Sequence, residues 1–208
     1  KLIVPGFTDL HVHAPQYTFR SLGMDMELLD WLNTYTFPEE ARYADPDYAA
    51  RAYDLFTQEL RRSATTRACI FATLHREATE ILMRKLDESG LRTYVGKVNM
   101  DRNSPDDLRE ASAAASLDDT RRWLAEVGGL TNCKPILTPR FTPSCTDELM
   151  AGLGDLQQQT GLPVQSHLSE NQGEIDWVRE LCPNTADYGE AYSQFGLFGE
   201  NGPCIMAL

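Results

Sequence analysis

Two histidines separated by one residue, His11-Val12-His13, close the first apolar run of the chain. In an extended segment, side chains two apart project to the same side. Both imidazoles then face one point, which is the geometry for gripping a single cation from a strand end. Two incidental histidines would look the same in isolation. His167 shifts the balance, because it ends a later strand-like run, Gln165-Ser166-His167-Leu168-Ser169-Glu170. Of four histidines, three stand at the C-terminal ends of such runs, and the fourth, His75, directly follows another.

Neutral imidazoles suit Zn²⁺, Fe²⁺ and similar ions. A cation held by three histidines keeps one position open for water and lowers that water's pKa towards about 7. Hydrolysis then needs a proton carrier, and Glu170 can reach the same pocket as general acid or base. Read alone, Glu170 would be a carboxylate favoured by the dipole of the helix that follows. Gln16 lies three residues beyond His13, and its amide both donates to and accepts from a purine-like edge. Arg140 ends a fourth strand-like run, where a guanidinium can hold a carbonyl oxygen or ring nitrogen. Phe141 can stack on a flat ring. Without the histidines, a solvated arginine and a core phenylalanine would be the plainer readings.

These residues need a scaffold that brings strand ends together. Short apolar runs cover residues 2–12, 65–74, 92–100, 133–138, 163–168 and 204–208. They have the character of strands buried on both faces. Helical spacing fills the gaps over 47–62, 77–89, 117–127, 147–160 and 172–181. Gly90 and Gly161 read as C-terminal stops, and Ser116, Thr146 and Asn171 as N-caps. The alternation implies parallel strands with right-handed crossovers, either an open sheet or a (β/α) barrel. No glycine-rich phosphate loop follows any strand, so the nucleotide-binding open sheet lacks its signature. The long connection between the first two strands carries Trp31, Tyr35, Phe37 and Pro38. It reads as a lid or a pocket wall, or simply as packed surface.

Composition narrows the partners. With 31 acidic against 19 basic side chains, the formal charge is −12, which argues against nucleic acid or an anionic membrane as a partner. The 42% apolar content is ordinary for a globular chain, and 208 residues suffice for one large α/β domain. Five scattered cysteines without a CxxC pair fit reduced thiols, and the expected location is the cytoplasm.

Pro5-Gly6-Phe7-Thr8-Asp9-Leu10-His11-Val12-His13 resembles the metal-binding opening of the amidohydrolase superfamily. Four segments narrow the resemblance to the guanine deaminase branch. They are His13-Ala14-Pro15-Gln16-Tyr17, the stretch Trp31 to Glu39, Thr138-Pro139-Arg140-Phe141, and Gln165 to Asn171. The resemblance implies a TIM-type (β/α) barrel and a hydrolase acting on the C–N bond of a cyclic amidine. It would convert guanine to xanthine and ammonia. His11, His13 and His167 would hold one Zn²⁺ (or Fe²⁺) per subunit. His13, Ala14, Pro15, Gln16, Arg140, Phe141, His167 and Glu170 would contact the substrate, with Glu170 carrying the proton.

Two departures stand out. The resemblance calls for a further ligand histidine where this chain has Leu208, and for an aspartate on an eighth strand that has no counterpart. A complete barrel has eight strands, whereas the sequence offers six. The expectation is therefore a single partial barrel over 1–208, without the flanking N-terminal β domain or the last barrel strands. Such a fragment would expose strand edges and self-associate, as a homodimer or a higher assembly. A related amidohydrolase acting on another heterocycle, and a non-catalytic metal-binding fragment, are the alternatives.

Overall fold

The structure, a computed structural model, describes residues 2–199 and 202–207. The chain begins its first strand, β1, at Phe7–His13. A 3₁₀ turn, Ala14–Phe19, then leads into two short helices, α1 (Leu28–Trp31) and α2 (Phe37–Ala41), separated by a π-helical turn at Leu32–Thr36. The regular alternation follows: α3 (Pro46–Arg62), β2 (Thr65–Phe71), α4 (Arg76–Ser89), β3 (Arg92–Gly96) and β4 (Val98–Asn99). After these come α5 (Ala113–Val127), β5 (Cys133–Pro135), β6 (Thr138–Pro139) and α6 (Asp147–Thr160). The described chain closes with β7 (Val164–His167), α7 (Gln172–Leu181), α8 (Glu190–Ser193) and β8 (Cys204–Ala207).

Among the described residues, every strand pairing is parallel. The order β1-β2-β3-β5 continues through the short pair β4-β6, and a bridge from Leu137 to Val164 leads on to β7-β8. Six strand positions therefore run side by side, in the order in which they occur in the chain. Two of the six expected runs are each split in two. The break between β3 and β4 falls at Lys97, and that between β5 and β6 at Ile136-Leu137.

Local chemistry explains the helix boundaries. Asp45 caps α3 by accepting from the Asp47 amide, with Pro46 at the first helical position, where its missing N–H costs nothing. Gly90 and Gly161 adopt φ of +79° and +68° at the ends of α4 and α6, a conformation that penalises any side chain. Thr146 and Asn171 cap α6 and α7 as expected. One cap differs from expectation: α5 starts earlier, at Ala113, with Ser112 as its N-cap. Ser116 is instead buried within that helix, where its hydroxyl accepts from the Asn99 side-chain amide of β4 at 2.8 Å. The first strand also starts later than its apolar run, at Phe7, since Pro5 cannot donate to a ladder.

The principal core packs α3 and α4 against the outer faces of β1 to β3, with Tyr53, Ile70, Leu82, Leu86, Val95 and Trp123 fully buried. A second core joins α6, α7 and α8 through Leu149, Leu153, Val178 and Tyr192. On the inner face, Gln165 of β7 donates to the Ile70 carbonyl at 3.1 Å and to Thr138 at 3.0 Å, spanning the concave side of the sheet. A Cβ at Gly96 would run into the Thr138 side chain, so β3 and β6 approach closely here only because the residue is glycine. Among the described residues, no helix is long and apolar enough to cross a membrane. Leu208, where the sequence departs from the expected ligand histidine, lies outside the described residues.

Candidate metal centre

The C-terminal ends of β1 and β7 bring His11, His13 and His167 together, with potential ligand atoms all within 4.8 Å of one another. The Nε2 atoms of His13 and His167 are 3.0 Å apart. Adjacent strand register explains what lies beneath them. His13 of β1 pairs with Phe71 of β2, and Phe71 stacks on the His13 ring with centroids 4.5 Å apart and planes 17° apart. Phe71 also meets His11 edge-on at 5.0 Å and His167 at 4.7 Å. It is an apolar floor for three imidazoles.

Two features suit this cluster to a divalent cation. First, His167 Nδ1 lies 2.7 Å from the Arg140 carbonyl, which can only accept, so the proton sits on Nδ1 and the Nε2 lone pair faces the other two imidazoles. Second, the Nδ1 atoms of His11 and His13 are buried without a hydrogen-bond partner, so each ring has a nitrogen still to be satisfied. Burial holds all three rings neutral. It pushes His167 down to about 3, helped by the charges of His11 and Arg140 and opposed by the hydrogen bond to the Arg140 carbonyl. Burial likewise drives His13 well below the ordinary histidine value, with His167, Arg140 and His11 adding to the effect. His11 falls for the same reason, against the pull of Asp9. Neutral imidazole is the ligating form.

The histidines sit at one side of a pocket of about 520 Å³. Gln16, Arg140, Phe141 and Glu170 share its wall, and Tyr17, Phe19, Trp31 and Phe56 supply apolar surface opposite. Trp31 thus reaches the pocket as the long connection suggested. Phe37 turns inward to pack with Leu32 and Phe71 instead. Ala14 and Pro15 do not reach the wall. They are buried in the 3₁₀ turn that follows His13, where the Pro15 carbonyl accepts from the Thr18 hydroxyl at 3.2 Å. Their place in the chain swings Gln16 into the pocket rather than presenting their own side chains. His75 also lies outside the cluster, at the N-cap position of α4.

Glu170 is presented by a turn in which Ser169 adopts φ of +58°, uncommon for a residue with a Cβ. Capping of α7 is completed by Asn171 and Glu174, so the Glu170 side chain is not spent on the helix terminus. Glu170 is exposed as a whole residue. Even so, the protein packed round its carboxyl raises its pKa above the ordinary glutamate value, Glu174 adds to the rise, and Arg140 opposes it. Such a carboxyl exchanges a proton more readily near neutrality than a free one.

The architecture has counterparts in known proteins. The model of the amidohydrolase family matches residues 2–204. The chain belongs to the amidohydrolase family. Among curated relatives, guanine deaminase from Dictyostelium discoideum is 43% identical over 100% of this chain and 46% of its own length. Guanine deaminase from Escherichia coli K12 is 39% identical, again over 100% of this chain and 46% of its own length. A crystal structure of guanine deaminase from C. acetobutylicum, with guanine bound in its active site, superposes with a TM-score of 0.94 at 50% identity. That match covers 98% of this chain and 48% of the other. This amidohydrolase chain thus spans about half the length of the relatives it matches, and its parallel strands and outer helices form part of a TIM-type (β/α) barrel.

Two residues that shape the centre were not foreseen from the sequence. Phe71 was legible only as one more apolar residue of a strand, and the β1–β2 register gives it its place. Glu40 sits in α2, fully buried, with Oε2 2.5 Å from Nη1 of Arg140. A glutamate inside Phe37–Ala41 carries no sequence signal that it faces an arginine 100 residues away.

Proposed function

We propose that this chain carries the metal- and purine-binding residues of a zinc-dependent hydrolase that converts guanine and water to xanthine and ammonia. The observation that carries the reading is the convergence of three neutral imidazoles with Glu170, Gln16, Arg140 and Phe141 on one pocket wall. The names of the relatives with 39% and 43% identity support it. His11, His13 and His167 would hold the cation, which supplies Lewis acidity to activate water.

The remaining steps fall to the chain's own side chains. Phe141, nearly buried and edge-on to Trp177 at 6.2 Å, offers a fixed face for a planar ring. Arg140 and Gln16 read the ring's carbonyl and amidine edges by hydrogen bonds. Glu170 takes a proton from water and delivers one to the ring nitrogen next to the reacting carbon. It then takes the second proton from the newly added hydroxyl and passes it to the amine as the C–N bond breaks, leaving a ring carbonyl and ammonia. Tyr17, Phe19 and Trp31 keep bulk water from the ring's far side.

The same reading places the protein in the cytoplasm, where five unpaired cysteines would remain thiols. It also gives it a self-associated state, in keeping with β1 and β8 each having one strand neighbour among the described residues. Two measurements on one preparation test the central claim: metal content by mass spectrometry, and xanthine formation from guanine. Stoichiometric zinc with xanthine produced supports it. Stoichiometric zinc without turnover by this chain, or turnover of another heterocycle in preference to guanine, overturns it.

A further inference from the structure

Arg140 and Glu40 form a buried ion pair at the edge of the pocket. Arg140 is 3% exposed and Glu40 fully buried, and they come from β6's end and from α2 respectively. Among the described residues, the guanidinium donates to Glu40 through Nη1 and to no other protein group. Its other N–H groups are not among the sealed, unpartnered atoms of the protein, whereas Arg140 does line the pocket. They are therefore open to a ligand. The Phe37 ring lies 5.2 Å from the guanidinium carbon and limits its swing. Glu40 itself does not line the pocket, and its second oxygen, Oε1, is buried without a partner.

A buried carboxylate with a single charged partner is a costly arrangement that stability alone does not call for. Its effect on Arg140 is geometric. An arginine side chain has several rotatable bonds, and a fixed anion on one edge of the guanidinium removes most of that freedom. We infer that Glu40 is a positioning residue: it fixes the guanidinium of Arg140 by one edge, so that the opposite edge meets a ligand carbonyl, and so sets a preference for carbonyl-bearing purines. The inference rests on the purine-hydrolase reading and deepens it, because that reading gives Arg140 a carbonyl to hold. Arg140 is then fixed twice. Its side chain is held by Glu40, while its backbone carbonyl holds the metal-ligand candidate His167.

The test compares two ligands on the zinc-loaded 208-residue chain: guanine, and 2-aminopurine, which lacks the C6 carbonyl. Affinities are measured by equilibrium titration for the wild type, Glu40→Gln and Glu40→Asp, with far-ultraviolet circular dichroism to establish folding. Glu40→Gln keeps the shape and one acceptor but loses the charge-assisted bond, so guanine affinity is expected to fall about tenfold. Affinity for 2-aminopurine should change less than twofold, and Glu40→Asp should recover part of the loss for guanine alone. Equal losses for both ligands, or no loss for either in a folded variant, overturn the role of Glu40 and leave the functional reading intact. A wild type that binds neither purine overturns the functional reading, and this inference with it. Should Glu40→Gln fail to fold, Glu40→Asp decides the matter by the same ratio of affinities.

Discussion

The imidazole of His167 donates from Nδ1 to the backbone carbonyl of Arg140 at 2.7 Å, so one residue of β7 and one at the end of β6 share a single tautomer-fixing contact. That carbonyl is itself held. The Ser166 hydroxyl lies 3.2 Å from it and donates to the Pro139 carbonyl at 2.7 Å. The Tyr192 hydroxyl, 2.9 Å from Ser166, donates to the His167 carbonyl at 2.7 Å and accepts from the Thr142 amide at 3.1 Å. The position of His167, a candidate metal ligand, is thus anchored from α8, a helix of four residues that does not line the pocket.

Tyr192→Phe should therefore loosen the metal site without touching a ligand. Its loss leaves the His167 carbonyl and the Thr142 amide unpartnered in a buried setting, which costs about 1–3 kcal/mol of stability. Zinc affinity should drop by about tenfold or more, as is usual when the partners of a ligating residue are removed. Competition with a chromogenic chelator measures the affinity, and urea denaturation of the metal-free protein measures the stability. Unchanged zinc affinity alongside reduced stability would assign Tyr192 to folding alone.

Glu170→Gln should separate proton transfer from binding. The amide is nearly the shape of the carboxyl but cannot exchange a proton, so turnover on the proposed reaction should fall by about 10²- to 10⁴-fold. Zinc content and guanine affinity should stay near wild-type values, because Glu170 lines the pocket outside the histidine cluster. Loss of zinc in this variant would instead make Glu170 a member of the metal site.

The parts legible in the sequence share a physical origin in local signals. His11 and His13 lie on one side of a strand because of a period of two, and they do face one cluster. Asn171, Thr146, Gly90 and Gly161 mark helix ends through their own backbone or side-chain chemistry, and they do so here. Ser116 misled because a serine at a helix start and a serine inside a helix differ only in what lies opposite, here Asn99 of a neighbouring strand. Ala14 and Pro15 misled in a similar way: they neighbour the site in sequence, but a 3₁₀ turn buries them. Phe71 and Glu40 were silent because their roles arise from pairing across distant segments, which one chain's periodicity does not encode.

The closeness of β3 and β6 gives a stability prediction. A methyl at Gly96 would meet the Thr138 side chain and approach the Gln165 amide at 2.8 Å. These belong to the inner layer that ties Ile70, Thr138 and Gln165 together beneath the histidines. Gly96→Ala should cost about 1–3 kcal/mol through overpacking, seen as a lower denaturation midpoint at unchanged slope. The double variant Gly96→Ala with Thr138→Ala removes the hydroxyl that lies nearest the added methyl and should lose less than the sum of the two single variants. Additive losses in the double variant would place the strain elsewhere.

Acid should destabilise the metal-free protein through the buried histidines. In the unfolded chain a histidine takes up a proton near pH 6.5, whereas burial keeps His167 neutral until about pH 3 and His13 neutral well below its ordinary value. Between those limits the unfolded state binds more protons than the folded one, so folding free energy is fully present above about pH 6.5 and declines as pH falls. Each such histidine contributes a slope of about 1.4 kcal/mol per pH unit inside that window. Zinc opposes the loss at first, since it binds the folded, neutral rings, and is then released as protons compete for them. Urea denaturation of the metal-free chain between pH 7 and 4.5 should show the decline, and His167→Gln should flatten it by close to one proton's worth. If His167→Gln leaves the slope as steep as in the wild type, the imidazole is not held neutral by its burial beside Phe71 and Arg140.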